Sequence, residues 1–96
     1  MSEVKYVKML SGEDVIAEVE VQGSTVKLTH PLVAIPDGKS LGFMPFAPLI
    51  DQSIEYVNVS KSAIVFITTP AAEIIDHHKR QFSKIITPGK QLFSGN

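Results

Sequence analysis

Three histidines are the residues best suited to bind a metal ion, and two of them are adjacent. His77 and His78 follow Asp76, whereas His30 lies far away in the sequence. Adjacent residues on a helix point about 100° apart, and helical metal ligands usually stand three or four positions apart. The two neighbours therefore cannot easily reach one ion, and we expect no metal site. The pattern favours His78 as a packed helix residue and His77 at its solvated border.

Other residue types that could support catalysis are not arranged for it. The chain has no cysteine, which excludes disulfides and thiolate metal sites. We find no spacing that predicts a Ser-His-Asp set, and no glycine-rich phosphate loop. The carboxylates Glu13, Asp14, Glu18 and Glu20 are explained as turn and outer-face residues of a strand. We therefore expect a protein that is not an enzyme and has no cofactor.

The polar turn Ser60-Lys61-Ser62, between two apolar segments, is the best candidate for a ligand contact. A lysine can contact a phosphate, and serine hydroxyls can donate hydrogen bonds to it. A second group of basic residues is more simply a solvated helix face, with an anionic partner as the alternative. These residues are Lys79, Arg80, Lys84 and Lys90.

The composition indicates one small domain that must cover apolar surface. Of 96 residues, 44% are hydrophobic. A single small core cannot bury that much apolar surface, so we expect oligomerisation. The net charge of −1 argues against a general basic field for nucleic acid, but not against a local basic site. The charged N-terminus is not a signal peptide, and no apolar run reaches membrane-spanning length. We expect one domain over residues 1–96, in the cytoplasm.

Alternating apolar and polar residues predict three strands in the first third of the chain. The apolar positions are Val7 and Met9, then Val15, Ala17, Val19 and Val21, then Val26 and Leu28. Gln22-Gly23-Ser24 predicts a hairpin turn between the second and third strands. Pro31 removes a ladder donor, so we expect an edge or a bend there.

The segment from Leu41 to Ile50 is apolar but contains Pro45 and Pro48. Because each proline lacks a backbone N–H, this segment cannot be a central strand. We expect an extended loop over one end of the core. The alternative is an apolar patch that contacts a protein partner through Phe43, Met44 and Phe46.

The last third predicts two strands and a helix. Residues 54–59 and 63–67 form the fourth and fifth strands, and the helix spans about residues 70–86 before a loose tail over 87–96. Thr69 is the expected N-cap and Pro70 the first helical residue. One apolar helical stripe contains Ala71, Ile74, Ile75, His78, Phe82 and Ile85.

Two short motifs resemble those of the Sm-like proteins. The stretch from Leu10 to Val19, with its turn glycine, resembles the first motif of that family. The stretch from Val59 to Ile64 is similar to the second motif, particularly in bacterial Sm-like RNA chaperones, and it matches at Lys61 and Ala63. The whole chain also resembles small Sm-like proteins of marine phages. The resemblance implies a mainly β fold, a strongly bent five-stranded SH3-type barrel over about residues 4–67 with a C-terminal helix.

The resemblance also implies a homo-oligomeric ring, from pentamer to heptamer. In such a ring the fourth strand of one copy pairs with the fifth strand of the next. The expected interface residues are Ile54, Tyr56, Val57, Val59, Ala63, Ile64, Val65, Phe66 and Ile67.

The resemblance further implies RNA binding at the ring pore. The residues expected there are Ser60, Lys61, Ser62, Ser24 and Thr25. Ser60 and Ser62 replace an aromatic residue and a histidine of the bacterial motif. The alternative is therefore a structural or protein-interaction ring, such as a phage accessory component, that does not bind nucleic acid. A phage protein would act in the host cytoplasm.

Overall fold

The computed structural model describes residues 3–51 and 53–82. In this part of the chain six strands and one helix account for the regular structure, together with a 3₁₀ turn at Lys61–Ala63. The strands are β1 (Glu3–Met9), β2 (Asp14–Gln22), β3 (Thr25–Asp37), β4 (Ser40–Pro45), β5 (Tyr56–Ser60) and β6 (Ile64–Thr68). The helix is α1 (Ala72–Phe82).

The strands form one antiparallel sheet in the order β4-β3-β2-β1-β6, and β5 also pairs with β3. One edge of β3 pairs with β2. Along its other edge, Thr25–Thr29 pairs with β5 and Leu32–Asp37 pairs with β4. The sheet is not closed, because β5 and β6 do not pair with each other within the described residues. The fold is therefore mainly β with a C-terminal helix, as predicted, but it has six strands instead of five.

A bend in β3 allows one strand to serve two partners. His30 has a φ of 52°, in the left-handed region that few non-glycine residues adopt, and Pro31 follows it. The pairing register of β2 with β3 shifts beside this point, between Ile16 and Glu18. Such a shift bends a strand and increases its twist. The bend expected at Pro31 is present, and it separates the β5-paired half of β3 from the β4-paired half.

The core contains the inward positions of the first three strands. Because side chains alternate between the faces of a strand, the period of two in the sequence places these residues together. The buried cluster consists of Val7, Met9, Val15, Ala17, Val26 and Leu28. Partly buried residues from β5 and β6, among them Val59 and Ile67, pack against it. The predicted apolar alternation is confirmed at these positions.

The loop expected over Leu41–Ile50 is wrong in its first half, where β4 forms. Within the described residues β4 is an edge strand that pairs with β3, so its other edge makes no ladder hydrogen bonds. Pro45 is tolerated because it is the last residue of this edge strand. Two of the three residues expected to contact a protein partner instead contact their own chain. Phe43 stacks on His77 with 4.4 Å between ring centres, and Phe46 packs against the core. Met44 is 45% exposed.

The helix begins at Ala72, two residues later than predicted. Thr69 accepts a hydrogen bond from the Lys5 ammonium group at 3.5 Å, and Pro70 is buried ahead of the helix. His78 is the buried residue of α1, as the helical stripe predicts. The predicted helix end near residues 85–86, the stripe residue Ile85 and the tail over 87–96 lie outside the described residues.

Candidate functional site

Two turns that are distant in the sequence meet at one end of the β3–β5 pair. The backbone N–H of Lys61 donates a hydrogen bond to the carbonyl of Ser24 at 2.9 Å. Thr25 and Ser60 face each other as the terminal register pair of the two strands. The structure therefore brings Ser24, Thr25, Ser60 and Lys61 together, with Ser62 in the same 3₁₀ turn.

Short-range hydrogen bonds fix the shape of these turns. The Ser60 hydroxyl accepts a bond from the backbone N–H of Ser62 at 3.3 Å, and the two serine hydroxyls lie 2.8 Å apart. On the other turn, Thr25 donates to the carbonyl of Gln22 at 3.2 Å, and Gly23 supplies a φ of 65°. A φ in this range costs glycine little, which explains the glycine at the hairpin.

The surface formed by the two turns is exposed and has one positive charge. Ser24, Ser60, Lys61 and Ser62 are exposed, and Thr25 is half-buried. No carboxylate among the described residues forms a salt bridge with Lys61. A free ammonium group flanked by hydroxyls can bind a phosphate through charge and hydrogen bonding together.

The sequence did not predict a contact between Lys27 on β3 and Tyr56 on β5, although Tyr56 was expected as an interface residue. The Lys27 ammonium lies 4.4 Å from the centre of the Tyr56 ring, a cation–π contact. Lys27 faces Asn58 in the register, so Tyr56 is its diagonal neighbour across the strand pair. The contact could have been found only by assuming that β3 pairs with β5 in this register.

The expected interface residues divide into two groups. Val57, Val59, Ala63, Ile64 and Ile67 pack against the core of their own chain. Ile54, Tyr56, Val65 and Phe66 are exposed, and Val65 is 56% exposed. Phe66 also contacts the Tyr6 ring edge-on at 5.3 Å between centroids. Burial alternates along β5, where Val57 and Val59 face inward. It does not alternate along β6, where the adjacent apolar residues Val65 and Phe66 are both exposed.

Beneath α1 the two distant histidines meet. The Nε2 atom of His78 donates a hydrogen bond to the backbone carbonyl of His30 at 2.8 Å. The His30 ring stacks on Phe82 with 4.3 Å between ring centres and 4° between ring planes. Burial lowers the pKa of His78, and the bond to the His30 carbonyl opposes this in part. The prediction that His78 is a packed helix residue agrees with this geometry.

Two carboxylates flank the His30 ring without a close hydrogen bond. Glu18 Oε2 lies 3.7 Å from Nδ1, and Glu55 Oε1 lies 3.9 Å from Nε2. The Nδ1 atom is buried without a hydrogen-bond partner among the described residues. In this part of the chain no group of three or more histidine or carboxylate side chains is arranged to hold a metal ion.

Asp14 has a structural role at the start of β2. Its Oδ1 atom accepts a hydrogen bond from the Tyr6 hydroxyl at 2.6 Å and from the Lys8 ammonium at 2.9 Å. The bonds from Tyr6 and Lys8 lower the pKa of Asp14. The same bond to Asp14 raises the pKa of Tyr6. The carboxylate therefore ties β1 to β2 as a stable anion.

Comparison of the chain with models of protein families and with curated proteins gives no match. Within the described residues no helix has the length and apolar character needed to cross a membrane.

Proposed function

We propose that the protein is a non-enzymatic Sm-like ring that binds RNA or another single-stranded nucleic acid at its pore, in the cytoplasm. The observation that carries the proposal is the bond between the Lys61 N–H and the Ser24 carbonyl. It joins as one surface the two turns to which the Sm-like resemblance assigns the nucleic-acid contacts. Lys61 contacts phosphate there, and the hydroxyls of Ser24, Thr25, Ser60 and Ser62 supply hydrogen bonds.

The strand order supports the Sm-like interpretation of the sheet. The path β6-β1-β2-β3-β5 contains the five expected strands, with β4 as an addition beside the second half of β3. β5 and β6 are thus at opposite ends of this path. Pairing β5 of one copy with β6 of the next satisfies the backbone groups of both edges. Such a head-to-tail contact closes into a ring when its rotation permits.

The ring also explains how a protein of net charge −1 binds an anion. A closed ring repeats Lys61 once in each copy around a common axis. Several ammonium groups then act on one strand of nucleic acid, although each copy is slightly acidic. Binding of this kind releases counterions and weakens as the salt concentration rises.

We predict that the protein in solution has a mass of five to seven copies, as in the rings that the resemblance implies, measured by light scattering. Val65→Lys places a charge on the exposed face of β6 and should lower the measured mass. Val21→Lys is the matched control, because Val21 is also exposed, 53% against 56%, but β2 pairs with neither β5 nor β6. A monomeric wild-type protein would contradict the ring.

We predict that oligo-U and oligo-A bind to the ring at low salt, measured by fluorescence anisotropy. Lys61→Ala should weaken binding about tenfold or more and reduce its salt dependence, because every copy loses one phosphate contact. Lys39→Ala is the control, because Lys39 is also an exposed turn lysine, outside the joined turns. Absence of binding by the wild-type protein, or equal losses in both variants, would contradict the proposed site.

The second candidate is a ring that assembles with a protein partner and ignores nucleic acid. Exposed apolar side chains at the β3–β4 hairpin favour it, namely Ile35, Leu41 and Met44. A wild-type ring that binds neither oligonucleotide would leave this candidate as the better explanation. Met44 would then contact the partner, with Phe43 and Phe46 supporting the strand that holds it.

A further inference from the structure

A buried titratable side chain makes one of the contacts of α1 with the sheet. His78 is 1% exposed, and it is the buried residue of α1. Its Nε2–H group donates to the His30 carbonyl at 2.8 Å, which fixes one turn of the helix against the bend of β3. A leucine or valine at this position would bury apolar surface without responding to pH. Histidine makes the same contact sensitive to protons.

Three contacts converge on His30. Its carbonyl accepts the bond from His78, its ring stacks on Phe82, and its N–H donates to the carbonyl of Glu55 at 2.7 Å. The helix and the chain entering β5 therefore both contact His30. That residue has a φ of 52° and precedes a proline, a backbone conformation that the surrounding contacts must maintain.

The groups around His78 do not balance the positive charge that its ring would have after protonation. Glu18 on β2 is the carboxylate whose charge acts on His78, but its oxygen lies beside His30 Nδ1. His30 on β3 and His77 on α1 both oppose a positive charge there. Glu55, ahead of β5, faces His30. A buried cation without a close anionic partner is costly, so protonation favours exposure of the side chain to water.

We propose that α1 is a proton-sensitive latch: protonation of His78 releases α1 from the bend of β3. The folded chain holds His78 with a pKa below its usual value of about 6.5. The released state therefore binds more protons, and the stability of the docked helix is full above about pH 6.5 and decreases as the pH falls below it. Release also removes Phe82 from His30. This weakens the hydrogen bond from His30 to the Glu55 carbonyl, which holds the chain entering β5.

Hydrogen–deuterium exchange of the α1 amides tests the latch, at about pH 7.5 and about pH 5.5 with intrinsic rates corrected. We expect protection of α1 to fall several-fold, by up to about tenfold, at the lower pH in the wild-type protein. His78→Gln keeps a neutral N–H donor of similar reach, so its protection should not depend on pH. His77→Gln, one residue away on the same helix, should behave as the wild-type protein does.

Equal protection of wild-type α1 at both pH values would overturn the proposal, and so would an unchanged pH dependence in His78→Gln. Should that variant fail to fold, an NMR titration of the wild-type His78 ring decides. An apparent pKa at or above about 6.5 overturns the latch, and a lower pKa supports it.

One consequence rests on the proposed function: a ring whose subunits meet through β5 should lose mass at the lower pH. Light scattering at both pH values separates the two proposals. A monomer at both pH values with acid-sensitive α1 amides refutes the ring and supports the latch. A constant ring mass with constant α1 protection supports the ring and refutes the latch.

Discussion

The joined turns and the helix contact are both places where distant parts of the chain meet, but their exposure to water differs. At the turns, a backbone bond links Lys61 to Ser24, and the surrounding side chains are exposed. Beneath the helix, the His78 side chain, which is 1% exposed, bonds to the His30 backbone carbonyl, and the His30 ring stacks on Phe82.

This difference separates binding from stability. Water can replace any hydrogen bond that an exposed hydroxyl loses, so the turn side chains are free to contact a ligand. In the buried contact no water replaces a lost partner, and the remaining polar group has the full cost of desolvation. The exposed region therefore suits recognition, and the buried region suits control of the fold by protonation.

The largest effect that we predict is on the buried side of this comparison. His78→Ala removes the donor to the His30 carbonyl and leaves a space beneath α1, so the free energy of unfolding should fall by about 2–3 kcal/mol. Urea denaturation followed by circular dichroism, at a pH near neutrality and one fixed protein concentration, measures this loss. The control is His77→Ala, which loses only a half-exposed stack on Phe43. Equal losses in the two variants would show that the buried hydrogen bond stabilises the fold no more than the half-exposed stack does.

The fold was predictable where local pattern decides it. The alternation from Val15 to Leu28 predicts two strands, because a strand has one side-chain period. It gives the inward face at Val15, Ala17, Val26 and Leu28, but Val21 is 53% exposed and Ile16 is buried. The β4 strand was missed because Pro45 argues against a strand, and only the tertiary pairing shows that it ends an edge strand. The positive φ of His30 has no sequence signal, because histidine rarely adopts it and the surrounding contacts determine it.

The candidate site shows the same division. Ser60, Lys61 and Ser62 were identifiable because a polar turn between apolar segments is a local pattern. Their contact with Ser24 follows from the pairing of β3 with β5, which no local pattern predicts. The resemblance to Sm-like proteins implied only that both turns lie at a ring pore. The contact between His30 and His78 joins positions 48 residues apart, and no spacing argument predicts it.

The smallest effect that we predict is on the exposed side. Ser60→Ala removes the oxygen that accepts the Ser62 N–H and caps the 3₁₀ turn. Because water can take its place on that N–H, the free energy of unfolding should fall by only about 0.5 kcal/mol. The same urea experiment measures it beside His78→Ala. A loss above about 1.5 kcal/mol would mean that the turn contributes to the free energy of unfolding nearly as much as the helix contact does. Weak oligonucleotide binding by Ser60→Ala could then reflect a distorted turn, so the assignment of its hydroxyl to the ligand requires the small loss.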